Sequence, residues 1–128
     1  MKKQLVIIDD DYIYRLITSK MIHHVDNSLE IHQCENAVEG LDKLTSFENS
    51  VQPITVLLDI NMPFMNGWSF LKKLEEFTPE ILNNINIYMV SSSTDESDIS
   101  KSKSYKFLKG FISKPLTKEN IKSILGKN

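Results

Sequence analysis

The chain is expected to fold as an α/β domain, a doubly wound sheet of five parallel strands with five helices. Three observations predict it. Short apolar runs, clearest at Leu5-Val-Ile-Ile8 and Ile54-Thr-Val-Leu-Leu58, alternate with segments whose apolar residues recur at helical spacing. These runs are near-continuously apolar, as strands covered on both faces are. The strands end at residues suited to a ligand-binding edge: Asp9 and Asp10, Asp59, Ser91 and Lys114.

Leu5 to Ile8, between two lysines and three acids, reads as a central strand running out into solvent. Ile13, Leu16, Ile17 and Met21 then mark a helix, which Asp10 or Asp11 can cap. Leu29 to Cys34 is a weaker second strand, diluted by His32 and Gln33 and so placed nearer the sheet edge. Asn36 can cap a second helix with Val38, Leu41, Leu44 and Phe47 as its apolar stripe. Glu48 to Pro53 reads as a loop leading into the central strand. Asn66 can cap a third helix carrying Trp68, Phe70, Leu71, Leu74 and Phe77, which Thr78-Pro79 ends or kinks. Ile85 to Val90 is a fourth strand, and Asp95 to Lys106, with only Ile99 and Tyr105 as apolar anchors, a short fourth helix. Gly110 to Ser113 is a fifth strand. Thr117 can cap a last helix with Ile121, Ile124 and Leu125 inward, closed by Gly126.

At 128 residues, 41% hydrophobic and 25% charged, the chain has the size and balance of one soluble globular domain. A net charge of -2 with no dense Lys/Arg cluster argues against a nucleic-acid footprint. The opening apolar run is short and stops at acids, so neither an export signal nor membrane insertion is expected. Cys34 is a lone cysteine, read as a small buried hydrophobe in a reducing cytoplasm. His23 and His24 read as a solvated or rim pair, and His32 is not needed as a ligand either.

Right-handed crossovers point every strand's carboxyl end the same way, which gathers Asp9, Asp10, Asp59, Ser91 and Lys114 at one edge. Singly, each has a plain structural use: Asp59 as a turn residue or cap, the acid run as a strand exit, Ser91 as a cap, Lys114 as a loop lysine. Together they are harder to explain that way. Three crowded carboxylates repel one another, and a hard divalent cation relieves the conflict; Mg2+ suits few carboxylates and several waters. Lys114 and Ser91 suit phosphoryl oxygens, and a central acid suits attack on phosphorus.

In these pieces the chain resembles response-regulator receiver domains, of the single-domain chemotaxis type, over nearly its whole length. The ordered set is Val6-Ile-Ile-Asp9-Asp10, Leu57-Leu-Asp59-Ile-Asn61-Met-Pro63, Met65-Asn-Gly67, Met89-Val-Ser91-Ser92 and Gly110-Phe111-Ile-Ser-Lys114-Pro115. The resemblance implies a flavodoxin-like strand order 2-1-3-4-5 in one domain over residues 1–128, without an output domain. It implies a phosphoacceptor of two-component phosphorelay signalling and not an enzyme. Asp59 would take a phosphoryl group from the phosphohistidine of a sensor histidine kinase or histidine phosphotransfer protein. Asp10 and Asp59 would ligate Mg2+ through their side chains, Asn61 through its backbone carbonyl and Asp9 mainly through water. Ser91 and Lys114 would contact phosphoryl oxygens, with Lys114-Pro115 a cis peptide. Phosphorylation would draw Ser91 inward and let Phe111 fill the vacated space, changing the surface of the fourth helix, fifth strand and fifth helix for a downstream protein target.

Ser91 stands where Thr is commoner in that family. Neutral Asn61 and small Ser92 imply water access to Asp59 and no unusually long-lived phosphoryl group. Which two acids of Asp9, Asp10 and Asp11 matter rests on alignment to the apolar run before them. A small Mg2+-dependent phosphatase of the haloacid-dehalogenase type, with Asp59 as nucleophile, competes with this reading. It would want a second acid where Asn61 stands, and a cap domain. A flavodoxin-like nucleotide or flavin module would want a Gly, Ser or Thr-rich loop where the three acids lie. A pseudo-receiver is disfavoured because every expected site residue is present.

Overall fold

Five strands pair in parallel in the order β2-β1-β3-β4-β5: β1 (Gln4–Ile8), β2 (Glu30–Cys34), β3 (Ile54–Asp59), β4 (Ile85–Ser91) and β5 (Leu108–Ser113). The computed structural model describes residues 3–47, 50, 52–77, 79–92 and 95–126. Strand alternation splits the core into two layers. Val6, Ile8, Val56, Leu58, Ile87 and Met89 face one side, under α2 (Ala37–Thr45) and α3 (Gly67–Leu74). Leu5, Ile7, Leu57 and Val90 face the other, under α1 (Tyr12–Val25) and α6 (Lys118–Ile124). Helices on both faces explain why the inner strands lack polar alternation. The diluted strand β2 lies at the sheet edge, as expected. Among the described residues no helix is long and apolar enough to cross a membrane.

Helix starts follow local chemistry. Asp11, Asn36, Asn66 and Thr117 each accept a hydrogen bond from a backbone N–H of the first turn that follows, and Thr117 forms a full capping box with Asn120. Asp95 caps α5 (Glu96–Ser102) in the same way. At the far end Gly126 takes φ +70°, the left-handed conformation that glycine supplies after a helix. Helix α5 is fastened from the side. The Trp68 indole N–H donates to Asp98 Oδ1 (3.2 Å), Lys101 lies over the indole, and Tyr105 stacks on it at 6.0 Å.

Three expectations are corrected. There are six helices, because Pro79–Asn83 forms an extra short one, α4. Pro79 opens this helix, at the position where its missing N–H is harmless, and α3 has already ended at Leu74. The stripe proposed on α1 is not its buried face: Ile13 is 59% and Ile17 53% exposed, while Arg15, Thr18, Ser19 and Ile22 are buried. On α2, Val38 is exposed and Ala37, Gly40 and Leu44 face the core. Gly40 sets that orientation, since a Cβ there would stand 2.5 Å from Ile8 Cδ1 and 3.2 Å from Phe70 Cε2. In the expected loop Glu48 to Pro53, Glu48, Asn49 and Val51 lie outside the described residues, as does Thr78.

Candidate functional site

The parallel ladders carry the site residues to one edge. Beyond β1, the Asp9 N–H still bonds to the Cys34 carbonyl (3.0 Å), and beyond β5 the Lys114 N–H bonds to the Ser91 carbonyl (2.8 Å). Asp59 is the last residue of β3 and pairs with Val90, one residue before Ser91. Asp9, Asp10 and Asp59 each bring a carboxylate oxygen within 4.8 Å of the others. The Lys114 Nζ lies 2.8 Å from Asp9 Oδ2 and 3.4 Å from Asp59 Oδ1. Asp9 and Asp59 are buried, whereas Asp10 is exposed and opens the cluster to solvent. The Lys114-Pro115 peptide is cis.

Two buried acids side by side shape the electrostatics. Burial first, and the Asp9 charge second, push Asp59 up to about 6 against the pull of Lys114 and of the Asn61 backbone N–H. Burial works against the Lys114 ammonium, but the Asp9 hydrogen bond and the charges of Asp59 and Asp9 outweigh it and raise its pKa. The carboxylates offer hard oxygen donors at short range with one side open to water, which fits Mg2+.

The helix cap sets Asp11 apart from the other two acids of the run. The Asp11 carboxylate accepts from the Tyr14 N–H (3.1 Å), and its own N–H donates to Asp9 Oδ1 (2.9 Å). Its carboxylate is thus engaged in capping α1 while its N–H holds Asp9, and Asp9 and Asp10 are the two acids of the run that gather with Asp59. Gly67 backs the central acid: a Cβ there would lie 2.7 Å from the Asp59 carbonyl oxygen, so α3 starts flush against β3 only because that position is glycine. Ser91 is fully buried at the end of β4. Phe111 pairs with Met89 and Ser113 with Ser91, so Phe111 and Ser91 share a sheet face. Phe111 is half-buried and, with Ile99, Tyr105 and Leu108, lines a cavity of about 430 Å³ between α5 and β5. The Cys34 side chain is buried in the core layer under α2, with its thiol pushed up to about 11 chiefly by burial.

Two contributors escaped the sequence reading. Buried Arg15 donates from Nη1 to the Asp9 carbonyl (2.6 Å) and from Nε to Gln33 Oε1 (3.4 Å), with its guanidinium over the Tyr12 ring. The Tyr14 ring lies beneath the Lys114 ammonium. A signal existed for Arg15: it sits one turn past the acid run, on the side of the helix away from Ile13 and Ile17. Arg15→Met is expected to lower stability by about 1–3 kcal/mol in urea unfolding, because the buried Asp9 carbonyl loses its donor. A loss under about 0.5 kcal/mol would mean that water replaces the guanidinium.

A flavodoxin-like sheet with acids and a lysine at its carboxyl edge is the architecture of a phosphorylation-linked signalling domain, and residues 5–126 match the model for the response regulator receiver domain. The chain belongs to the response regulator receiver domain family of two-component signalling. It is 27% identical over 123 residues to the autoinducer 1 sensor kinase/phosphatase LuxN of Vibrio campbellii, covering 95% of this chain and 13% of that protein. It is 31% identical over 94 residues to a protein-glutamate methylesterase/protein-glutamine glutaminase of Lawsonia intracellularis, covering 73% of this chain and 24% of that one. The chain thus spans a minor part of these curated relatives. A crystal structure of a two-component response regulator from Cytophaga hutchinsonii superposes with a TM-score of 0.87 at 25% identity, covering 98% of this chain and 96% of that one. Receiver domains bind Mg2+ at an acidic Asp cluster and are phosphorylated by histidine kinases.

Proposed function

We propose that this chain is a phosphoacceptor switch, in which Asp59 takes a phosphoryl group from the phosphohistidine of a sensor histidine kinase or histidine phosphotransfer protein. One observation carries the reading: Asp9, Asp10 and Asp59 meet within 4.8 Å, with Lys114 bridging Asp9 and Asp59. An Asp59 carboxylate oxygen attacks phosphorus in line, the P–N bond breaks, and its electron pair leaves on the donor's imidazole nitrogen. Lys114 turns from Asp59 to a phosphoryl oxygen, and the Ser91 hydroxyl donates to another. Asp10 and Asp59 would hold Mg2+ directly, with the Asn61 carbonyl, and Asp9 mainly through water; the ion supplies charge neutralisation at the phosphoryl oxygens. Donor access is supported by exposed Tyr12, Ile13 and Phe64, which stand where α1 and the loop after β3 leave the same sheet edge.

The output side of the switch is α5, β5 and α6, the fourth helix, fifth strand and fifth helix of the sequence reading. Its support is the shared face of Ser91 and Phe111 and the cavity beside Phe111. A hydroxyl drawn towards Asp59 leaves room that the Phe111 ring can enter, which repacks that cavity for a downstream protein target. Phe111→Ala is expected to take up a phosphoryl group as wild type does, yet to lose the amide shift changes of α5, β5 and α6 that beryllofluoride produces. Identical shift changes in both proteins would discard Phe111 as the relay.

Mg2+ with acetyl phosphate tests the acceptor itself. Intact mass should rise by one phosphoryl group, and the fluorescence of Trp68, next to the glycine that touches Asp59, should change. Asp59→Asn should abolish both; uptake by the variant would remove Asp59 from the role.

A further inference from the structure

Lys114 is held by more than its two acids. Its ammonium carries three N–H bonds, and two carboxylates engage it, Asp9 Oδ2 at 2.8 Å and Asp59 Oδ1 at 3.4 Å. The Tyr14 ring closes another side, with its centroid 4.2 Å from Nζ. Tyr14 comes from the first turn of α1 and packs, half-buried, against the core layer under that helix. The lysine sits beyond the end of β5, at the opposite end of the chain. A rigid, core-anchored ring therefore lies under a flexible cation. Ring and ammonium attract through the ring quadrupole, more strongly where water is scarce, and Lys114 is only 19% exposed.

A carboxylate oxygen fixes a donor in a narrow direction, whereas a ring face attracts a cation over its whole breadth. We propose that Tyr14 is a positioning residue for Lys114, keeping the ammonium in the pocket while it shifts from the Asp59 carboxylate to a phosphoryl oxygen. The consequence for transfer rests on the phosphoacceptor reading; the hold on Lys114 rests on the contact alone. An aliphatic side chain would fill the same space without attracting the cation.

The hold has a signature that space-filling lacks. A lysine kept in the pocket competes with a divalent cation for Asp9 and Asp59. Removing the ring should therefore slow phosphoryl uptake, because the ammonium spends less time in place, and tighten Mg2+ binding, because competition falls. A ring that merely filled space would, on removal, weaken both.

The test compares wild type with Tyr14→Leu and Tyr14→Phe, measuring the rate of phosphorylation by acetyl phosphate and, separately, Mg2+ affinity by titration. For the Leu variant we expect a rate about fivefold lower, as a cation-ring attraction of ordinary size implies, together with tighter Mg2+ binding. The Phe variant keeps the ring and should stay within about twofold of wild type in both. A Leu variant that matches wild type, or that weakens both, overturns the proposal. Should the wild type accept no phosphoryl group, the phosphoacceptor reading falls, and Mg2+ affinity alone decides: tighter in Leu supports the hold, equal or weaker overturns it. One measurement needs no variant. The Lys114 ε-methylene protons of the wild type should be shifted upfield by the ring, and their absence from the upfield region would overturn the contact.

Discussion

Asp59→Asn is expected to make the metal-free fold more stable at neutral pH. Burial and the neighbouring Asp9 charge raise the Asp59 pKa from 3.8 to about 6 in the folded chain. A group that binds its proton more tightly when folded stabilises fully below its unfolded pKa, and that contribution is lost as pH rises through the folded value. Between pH 4 and 6, therefore, wild type should lose about 2–3 kcal/mol through this group. Asparagine has the same size and no charge to bury, so the variant should keep what wild type loses. Urea unfolding in chelator at pH 4 and at pH 7.5 checks the sign: near-equal stability at the lower pH, and a variant more stable by about 2 kcal/mol at the higher. Mg2+ should close the gap by stabilising wild type alone. A variant no more stable at pH 7.5 would mean that Lys114 already compensates the buried charge in full.

Phe70→Ala should have the largest effect on folding itself. Phe70 is fully buried on α3, with its ring edge against Gly40 of α2, in the core layer shared with Ile8, Leu58 and Met89. Truncation removes an aromatic ring at the meeting of two helices and the sheet, and a close-packed surround relaxes into the void only in part. The expected loss is about 3–5 kcal/mol, a large share of the roughly 5–15 kcal/mol that keeps a domain folded. It should appear as a lower urea midpoint with an unchanged slope. A loss under about 1 kcal/mol would show that half-buried neighbours such as Leu41 collapse into the gap.

The parts of this protein that were legible in the sequence are those decided locally or by topology. Asn36, Asn66 and Thr117 each cap with their own side chain, so the residue and the following apolar spacing suffice. Asp9, Asp10, Asp59 and Lys114 could be grouped because parallel strands deliver their ends to one edge. What stayed hidden depends on tertiary fit. The buried side of α1 is chosen by small Thr18 and Ser19 and by the reach of Arg15 to Asp9, against an apolar row at Ile13 and Ile17 that points elsewhere. Pro79 carries two meanings, helix stop and helix start, and only α3 ending early selects the second. Tyr14 meets Lys114 across the length of the chain, which no spacing within α1 could announce.

Helix α5 joins the molecule differently from its neighbours. Its one buried residue is Ser102, and its lateral fastening is the Trp68 indole. The part-buried hydrogen bond from Trp68 to Asp98 and the Lys101 cation over the indole are each worth about 1 kcal/mol, far less than the pairing and packing of the sheet. The amides of this helix are therefore expected to exchange with solvent through local openings that leave the sheet intact, ahead of the amides of β1 and β3.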